Sequence, residues 1–110
     1  MPDYFYSLEA RKYRGKLGEL KGEAVQAFEQ FNKKVFAEGA LTLKQKELIA
    51  LAAAHVTRCP YCIDSHAKKA KDAGATDEEI AEAILVAVAM SAGASMAHAN
   101  IAMQSLAEKQ

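Results

Sequence analysis

Apolar residues along this chain recur at helical rather than alternating intervals. Ala24, Phe28, Phe31 and Val35 step by four, three and four, which marks one face of a helix over residues 22–37, with Gly39 as its stop signal. Leu48, Leu51, Ala52 and His55 share the inner face of a second helix, from Thr42 to about residue 56. Thr42 and Gln45, three apart, form a capping box at its start. A turn over 57–59 leads to Pro60, a residue favoured in the first helical position because its missing N–H would have no partner there. The helix it opens extends to about residue 73 and stops at Gly74. Thr76 and Glu79 form a second capping box, followed by a helix to about residue 89. Either Gly93 breaks it, with a last helix over 95–108, or the helix continues beyond residue 89. The polar segment before Gly22 carries glycines at 15, 18 and 22, and a short helix near 4–14 followed by a loop is expected. No stretch alternates apolar and polar residues, so no strand is expected. The expectation is one all-α domain of about five to six helices over residues 1–110.

Composition narrows the class. Half the chain is hydrophobic (51%) and a quarter charged (25%), as in an ordinary globular domain. Fourteen basic and fourteen acidic residues cancel, so nothing electrostatic calls for nucleic acid or an anionic membrane. The N-terminal run lacks the apolar region of a signal peptide. Residues 83–103 are uncharged and about as long as a membrane span, but they are alanine-dominated and interrupted by Ser91, Gly93, Ser95, His98 and Asn100. A buried helix or helix pair is the expectation there. Ala89, Gly93 and Ala97 would give it a small-residue face for close packing, within the domain or between subunits. The Phe28/Phe31 stripe reads as core, and Lys68, Lys69 and Lys71 as a solvated face.

Two cysteines occur, close together, which fits a functional thiol pair in a reducing cytoplasm better than a disulfide scaffold. Residues three apart on a helix lie about 5–6 Å apart, within the Cα range of a disulfide, so Cys59 and Cys62 can join with little backbone motion. At a helix N-terminus, free amide N–H groups stabilise a thiolate, the reactive form of cysteine. His66 stands one turn after Cys62, positioned to exchange protons. Glu47 lies on the preceding helix. Facing the thiols, it would either raise their pKa as a nearby negative charge or accept a proton as a base.

Glu47 followed by Cys59-Pro-Tyr-Cys62-Ile-Asp-Ser-His66, with Glu47-Leu-Ile-Ala-Leu before the cysteines and Ala73-Gly-Ala-Thr76 after them, resembles the signature of AhpD-like alkylhydroperoxidases of the carboxymuconolactone decarboxylase superfamily. The similarity spans about residues 41–98. It extends to the peroxidase-like proteins associated with arsenosugar biosynthesis. The resemblance implies an all-α fold assembled as dimers, trimers or hexamers, and a cycle needing no cofactor. In that cycle Cys62 attacks a peroxide, Cys59 resolves the sulfenic acid into a disulfide, and Glu47 and His66 move protons. Partners would be a small peroxide and a dithiol reductant, protein or small molecule. Some members carry a histidine directly before the second cysteine; Tyr61 stands there in this chain, and its hydroxyl or His55 would have to substitute. His55 otherwise reads as a satisfied core histidine. His98, in the small-residue helix, is a further accessory candidate.

Other readings compete. A zinc site could draw on Cys59, Cys62 and His66, but structural zinc takes four ligands and no second pair is present. Cys-Pro-Tyr-Cys also occurs in glutaredoxins, whose fold needs a strand just before the motif, where this chain has helix. The same thiols could serve a partner protein as a disulfide reductase or relay. A cysteine-independent decarboxylase of the same superfamily, or a purely structural oligomer, completes the set.

Overall fold

The computed structural model describes residues 7–109, and among them there are helices and no strands. A 3-10 segment, Leu8–Arg14, runs into α1, Gly15–Leu20. Then follow α2 (Gly22–Phe36), α3 (Leu43–Thr57), α4 (Pro60–Asp72) and α5 (Asp77–Glu108). The all-α expectation holds. Residues 4–6 of the short helix expected near 4–14 lie outside the described residues. The loop expected after it is instead α1, whose backbone tolerates Gly15 and Gly18.

Local chemistry explains the boundaries. The Thr42 hydroxyl accepts from the Gln45 backbone N–H while the Gln45 side chain accepts from Thr42 N–H, and Thr76 and Glu79 repeat the arrangement at α5. Helices α3 and α4 end alike. Cys59 N–H reaches back to Ala54 C=O (3.1 Å), and Ala75 N–H to Ala70 C=O (2.9 Å), the long return bond of a Schellman-type stop. Each stop needs a left-handed residue. Gly74 supplies it after α4 (φ 98°), while after α3 the position falls to Arg58 (φ 60°), which carries the steric cost of a Cβ there.

Helix α3 is the centre of the domain and packs against α4 on one side and α5 on the other. Its buried face is Glu47, Leu51 and Ala54, with Leu48, Ala52 and His55 half-buried beside it. The rest of the core is small: Ala70, Ala75 and Ala87.

Gly93 does not break α5, which continues unbroken for 32 residues, about 48 Å. The intrahelical bonds that Gly93 makes outweigh its cost of about 1 kcal/mol relative to alanine. Two expectations about packing fail. Residues 83–103 are mostly uncovered in the chain: Ala87 is buried, but Leu85, Met90, Met96 and Ile101 are all exposed. The Phe28/Phe31 stripe is likewise uncovered, at 57% and 65% exposure. Helix α5 contains a segment long and apolar enough to cross a membrane by length and composition alone. The same composition suits a helix covered by protein.

Candidate active site

The site forms where α3 turns into α4. Cys59 is the N-cap of α4: its backbone is extended (φ −102°, ψ 101°) and its sulfur accepts a hydrogen bond from the Cys62 backbone N–H at 3.2 Å. Pro60 then starts the helix, as its fixed φ and missing N–H favour. Both cysteines are free thiols and half-buried. They are not equivalent. The Cys62 thiol donates to Cys59 and, with the backbone N–H groups of Cys62 and Tyr61, holds the Cys59 pKa below its ordinary value, although burial opposes this. Donating to Cys59 raises the Cys62 pKa, and burial and the charge on Cys59 raise it further. The first-formed thiolate therefore sits on Cys59, with a proton-bearing Cys62 against it.

Glu47 and His66 meet beside them. His66 Nδ1 lies 2.5 Å from Glu47 Oε1. An ionised carboxylate only accepts, so Nδ1 carries the proton and the imidazole is oriented by Glu47. Glu47 is 4% exposed and its charge is met by this bond, which accounts for a carboxylate on the inner face of α3. Phe36, at the end of α2, stacks on the His66 ring with centroids 5.3 Å apart and planes at 15°. The ring is thus held on one face by an aromatic and at one nitrogen by an acid.

His66 also lines a cavity of about 480 Å³ together with Cys62, Tyr61, Arg11 and Arg14. Of the expected site residues, Cys59 and Cys62 sit at the α3–α4 turn and Cys62, Tyr61 and His66 line one cavity, while Glu47, ten residues back along α3 from its end, joins them through its bond to His66 and lines a neighbouring cavity with Phe36. His55 is placed elsewhere. Its Nδ1 donates to the Leu51 carbonyl one turn back (2.9 Å), and it lines a different cavity with Arg58, Pro60 and Asp64. His98 lies on the exposed length of α5 and lines neither cavity. Among the described residues no group of three or more His, Cys, Asp or Glu side chains is arranged to hold a metal ion.

Sequence reasoning missed Phe36 and the two arginines. Phe36 lies next to the predicted α2 stripe, and nothing local couples that helix end to His66. Arg11 and Arg14 are three apart, a spacing that puts both on one side of a 3-10 segment, but the polar N-terminal stretch gave no reason to bring them to the thiols.

A family model for carboxymuconolactone decarboxylases matches residues 22–105, which contain the cysteines, His66 and Glu47. This chain belongs to the carboxymuconolactone decarboxylase family. An uncharacterized protein of the cox locus of Paracoccus denitrificans is 56% identical over 82 residues, 74% of each chain. A crystal structure of a protein from Methanobacterium thermoautotrophicum superposes with a TM-score of 0.72 at 38% identity, covering 76% of this chain and 93% of the other. A carboxymuconolactone decarboxylase family protein from Legionella pneumophila, solved in the apo form, gives the same TM-score at 32% identity over 91% of this chain and 89% of its own. The family includes enzymes and AhpD-like proteins.

Proposed function

We propose that this member of the family is a thiol-dependent, peroxidase-like oxidoreductase that reduces hydrogen peroxide or organic hydroperoxides through a Cys59–Cys62 dithiol/disulfide cycle. The observation that carries the reading is the hydrogen-bonded thiol pair at the start of α4, whose Cys62 lines one cavity with a histidine that an acid orients.

The steps follow from those contacts. The proton of Cys62 shifts along its hydrogen bond to the Cys59 thiolate, leaving the thiolate on the residue that lines the cavity. Cys62 Sγ attacks the peroxide: an S–O bond forms, the O–O bond breaks, the sulfur is oxidised to sulfenic acid, and the departing alkoxide takes a proton by way of His66. The Cys59 thiol then displaces the sulfenic oxygen, giving a disulfide and water. A dithiol reductant, protein or small molecule, restores the pair and becomes oxidised in turn. The electrons are carried by sulfur throughout, so the cycle uses no cofactor. The proposed setting is the cytoplasm, where reductant is present and free thiols persist. The proposed working form is a homo-oligomer, a dimer, trimer or hexamer, in which the uncovered faces of α2 and α5 are buried.

One observation favours a second reading. The depressed pKa belongs to Cys59, and a thiolate at the N-cap suits attack on a disulfide of another molecule. The chain would then be a disulfide reductase or relay. Consumption of hydroperoxide with a dithiol reductant decides between them. Turnover by the wild type, abolished in Cys62→Ser, is the expected result. Disulfide reduction that survives without hydroperoxide turnover would replace the peroxidase with the relay.

A further inference from the structure

The cavity beside Cys62 has an uneven charge. Among the described residues its ionisable lining, apart from the site residues Cys62, His66 and Tyr61, is two arginines, Arg11 and Arg14, and no carboxylate. Both come from the 3-10 segment, where residues three apart eclipse one another, so they stand on one side of it. Their acidic partners lie outside the cavity wall. Arg11 Nη2 binds Asp64 Oδ2 at 2.8 Å, and Asp64, which also holds Lys68, opens on the neighbouring cavity. Arg14 Nη1 makes a longer contact of 3.4 Å to Glu29 on α2, with both side chains about half exposed. The two bonds differ in consequence. The first fixes the 3-10 segment across the start of α4. The second is exposed and weak, and it occupies one of the five donors of Arg14.

We infer that Arg14, with Arg11 beside it, forms an anion subsite next to the reactive sulfur, and that the preferred oxidant is a small hydroperoxide bearing a carboxylate. Planar guanidinium groups match a carboxylate in paired hydrogen bonds. A volume of about 480 Å³ is in the range of small-ligand sites. Binding the carboxylate at the arginines would place the rest of the molecule against Cys62 and His66. The substrate class rests on the peroxidase reading; the anion subsite does not.

The test therefore separates them. Wild type and Arg14→Gln are treated with iodoacetate, an anion, and with iodoacetamide, its neutral counterpart, and the rate of the Cys62 adduct is followed by peptide mass spectrometry. The ratio of the two rates cancels the thiolate fraction and reads the charge of the cavity alone. It should fall about two- to fivefold in Arg14→Gln, as expected for one exposed charge, recover in Arg14→Lys, and shrink in the wild type as salt screens the arginines. A ratio that Arg14→Gln leaves unchanged overturns the subsite. In parallel, kcat/KM is measured for a carboxylate-bearing and a neutral hydroperoxide of similar size. A wild-type preference for the carboxylate that falls in Arg14→Gln supports the substrate class, and equal values overturn it. If neither hydroperoxide is turned over while the alkylation ratio still depends on Arg14, the peroxidase reading fails and the anion subsite stands.

Discussion

Replacing Glu47 separates what the acid does for the fold from what it does for the chemistry. Its carboxylate is almost fully buried and meets His66 at 2.5 Å, while the His66 side chain keeps 17% of its exposure. Glu47→Ala leaves Nδ1–H of a largely enclosed imidazole without an acceptor and opens a gap on the inner face of α3. Leaving a buried donor without its acceptor costs about 1–3 kcal/mol, and the gap opened on α3 places this site at the upper end, about 3 kcal/mol. Glu47→Gln keeps the shape and an amide oxygen that still accepts from Nδ1, so the loss should stay near about 1 kcal/mol. The kinetic effects follow a different order of causes. Proton transfer by a positioned side chain is worth about 10²–10⁴-fold. The Ala variant, with an unoriented ring, should form the Cys59–Cys62 disulfide about 10²-fold more slowly on mixing with a hydroperoxide. The Gln variant, oriented but without the negative charge, should be about tenfold slower. Urea unfolding gives the first pair of numbers and single-turnover mixing the second. An Ala variant that matches the wild type in both would refute the role given to the pair. A loss of stability with an unchanged rate would reduce Glu47 to a structural residue.

Three further outcomes are expected. Arg58→Gly should raise the unfolding free energy measured in urea by about 0.5–1 kcal/mol, since glycine adopts the left-handed turn after α3 without the Cβ clash; a lower value would show that the Arg58 side chain contributes more than its backbone costs. Iodoacetamide should modify Cys59 from a lower pH than an ordinary thiol, because a depressed pKa keeps the thiolate as pH falls, whereas Cys62 should need a higher pH, and Cys59→Ala should bring the Cys62 profile down; identical profiles would contradict the asymmetry. Wild-type protein should sediment as a multiple of its 11.9 kDa chain, and Met96→Glu or Leu85→Glu on α5 should weaken assembly; a monomeric wild type would leave the exposed helix without its proposed cover.

The parts of this protein that were legible in the sequence are those set by short-range chemistry. Thr42 with Gln45 and Thr76 with Glu79 declare their helix starts within four residues, and both boxes form as read. Pro60 after Cys59 and Gly74 after α4 mark their positions equally locally. The family motif named Glu47 and His66 as proton movers but not their meeting, since their 19-residue separation carries no local signal. What was lost depended on the third dimension. A stripe such as Phe28–Phe31 says that one face wants cover, not that the cover is in the same chain, so reading it as core failed. Gly93 left the course of α5 open because a propensity of about 1 kcal/mol was weighed without the long, alanine-rich helix around it. His55 was read from its place on α3 as a satisfied histidine, and its ring is indeed bonded to the carbonyl one turn back; only its second role, as stand-in for the histidine of some relatives, goes unsupported, since it is turned toward another cavity.

Counting free thiols before and after limiting hydroperoxide at neutral pH, with metal content measured on the same sample, bears most directly on the dithiol site. One equivalent of hydroperoxide should remove both thiols of each chain and join Cys59 to Cys62, and Cys62→Ser should form no intramolecular disulfide. Thiols that stay intact under these conditions, or that are found bound to stoichiometric zinc, would contradict the account.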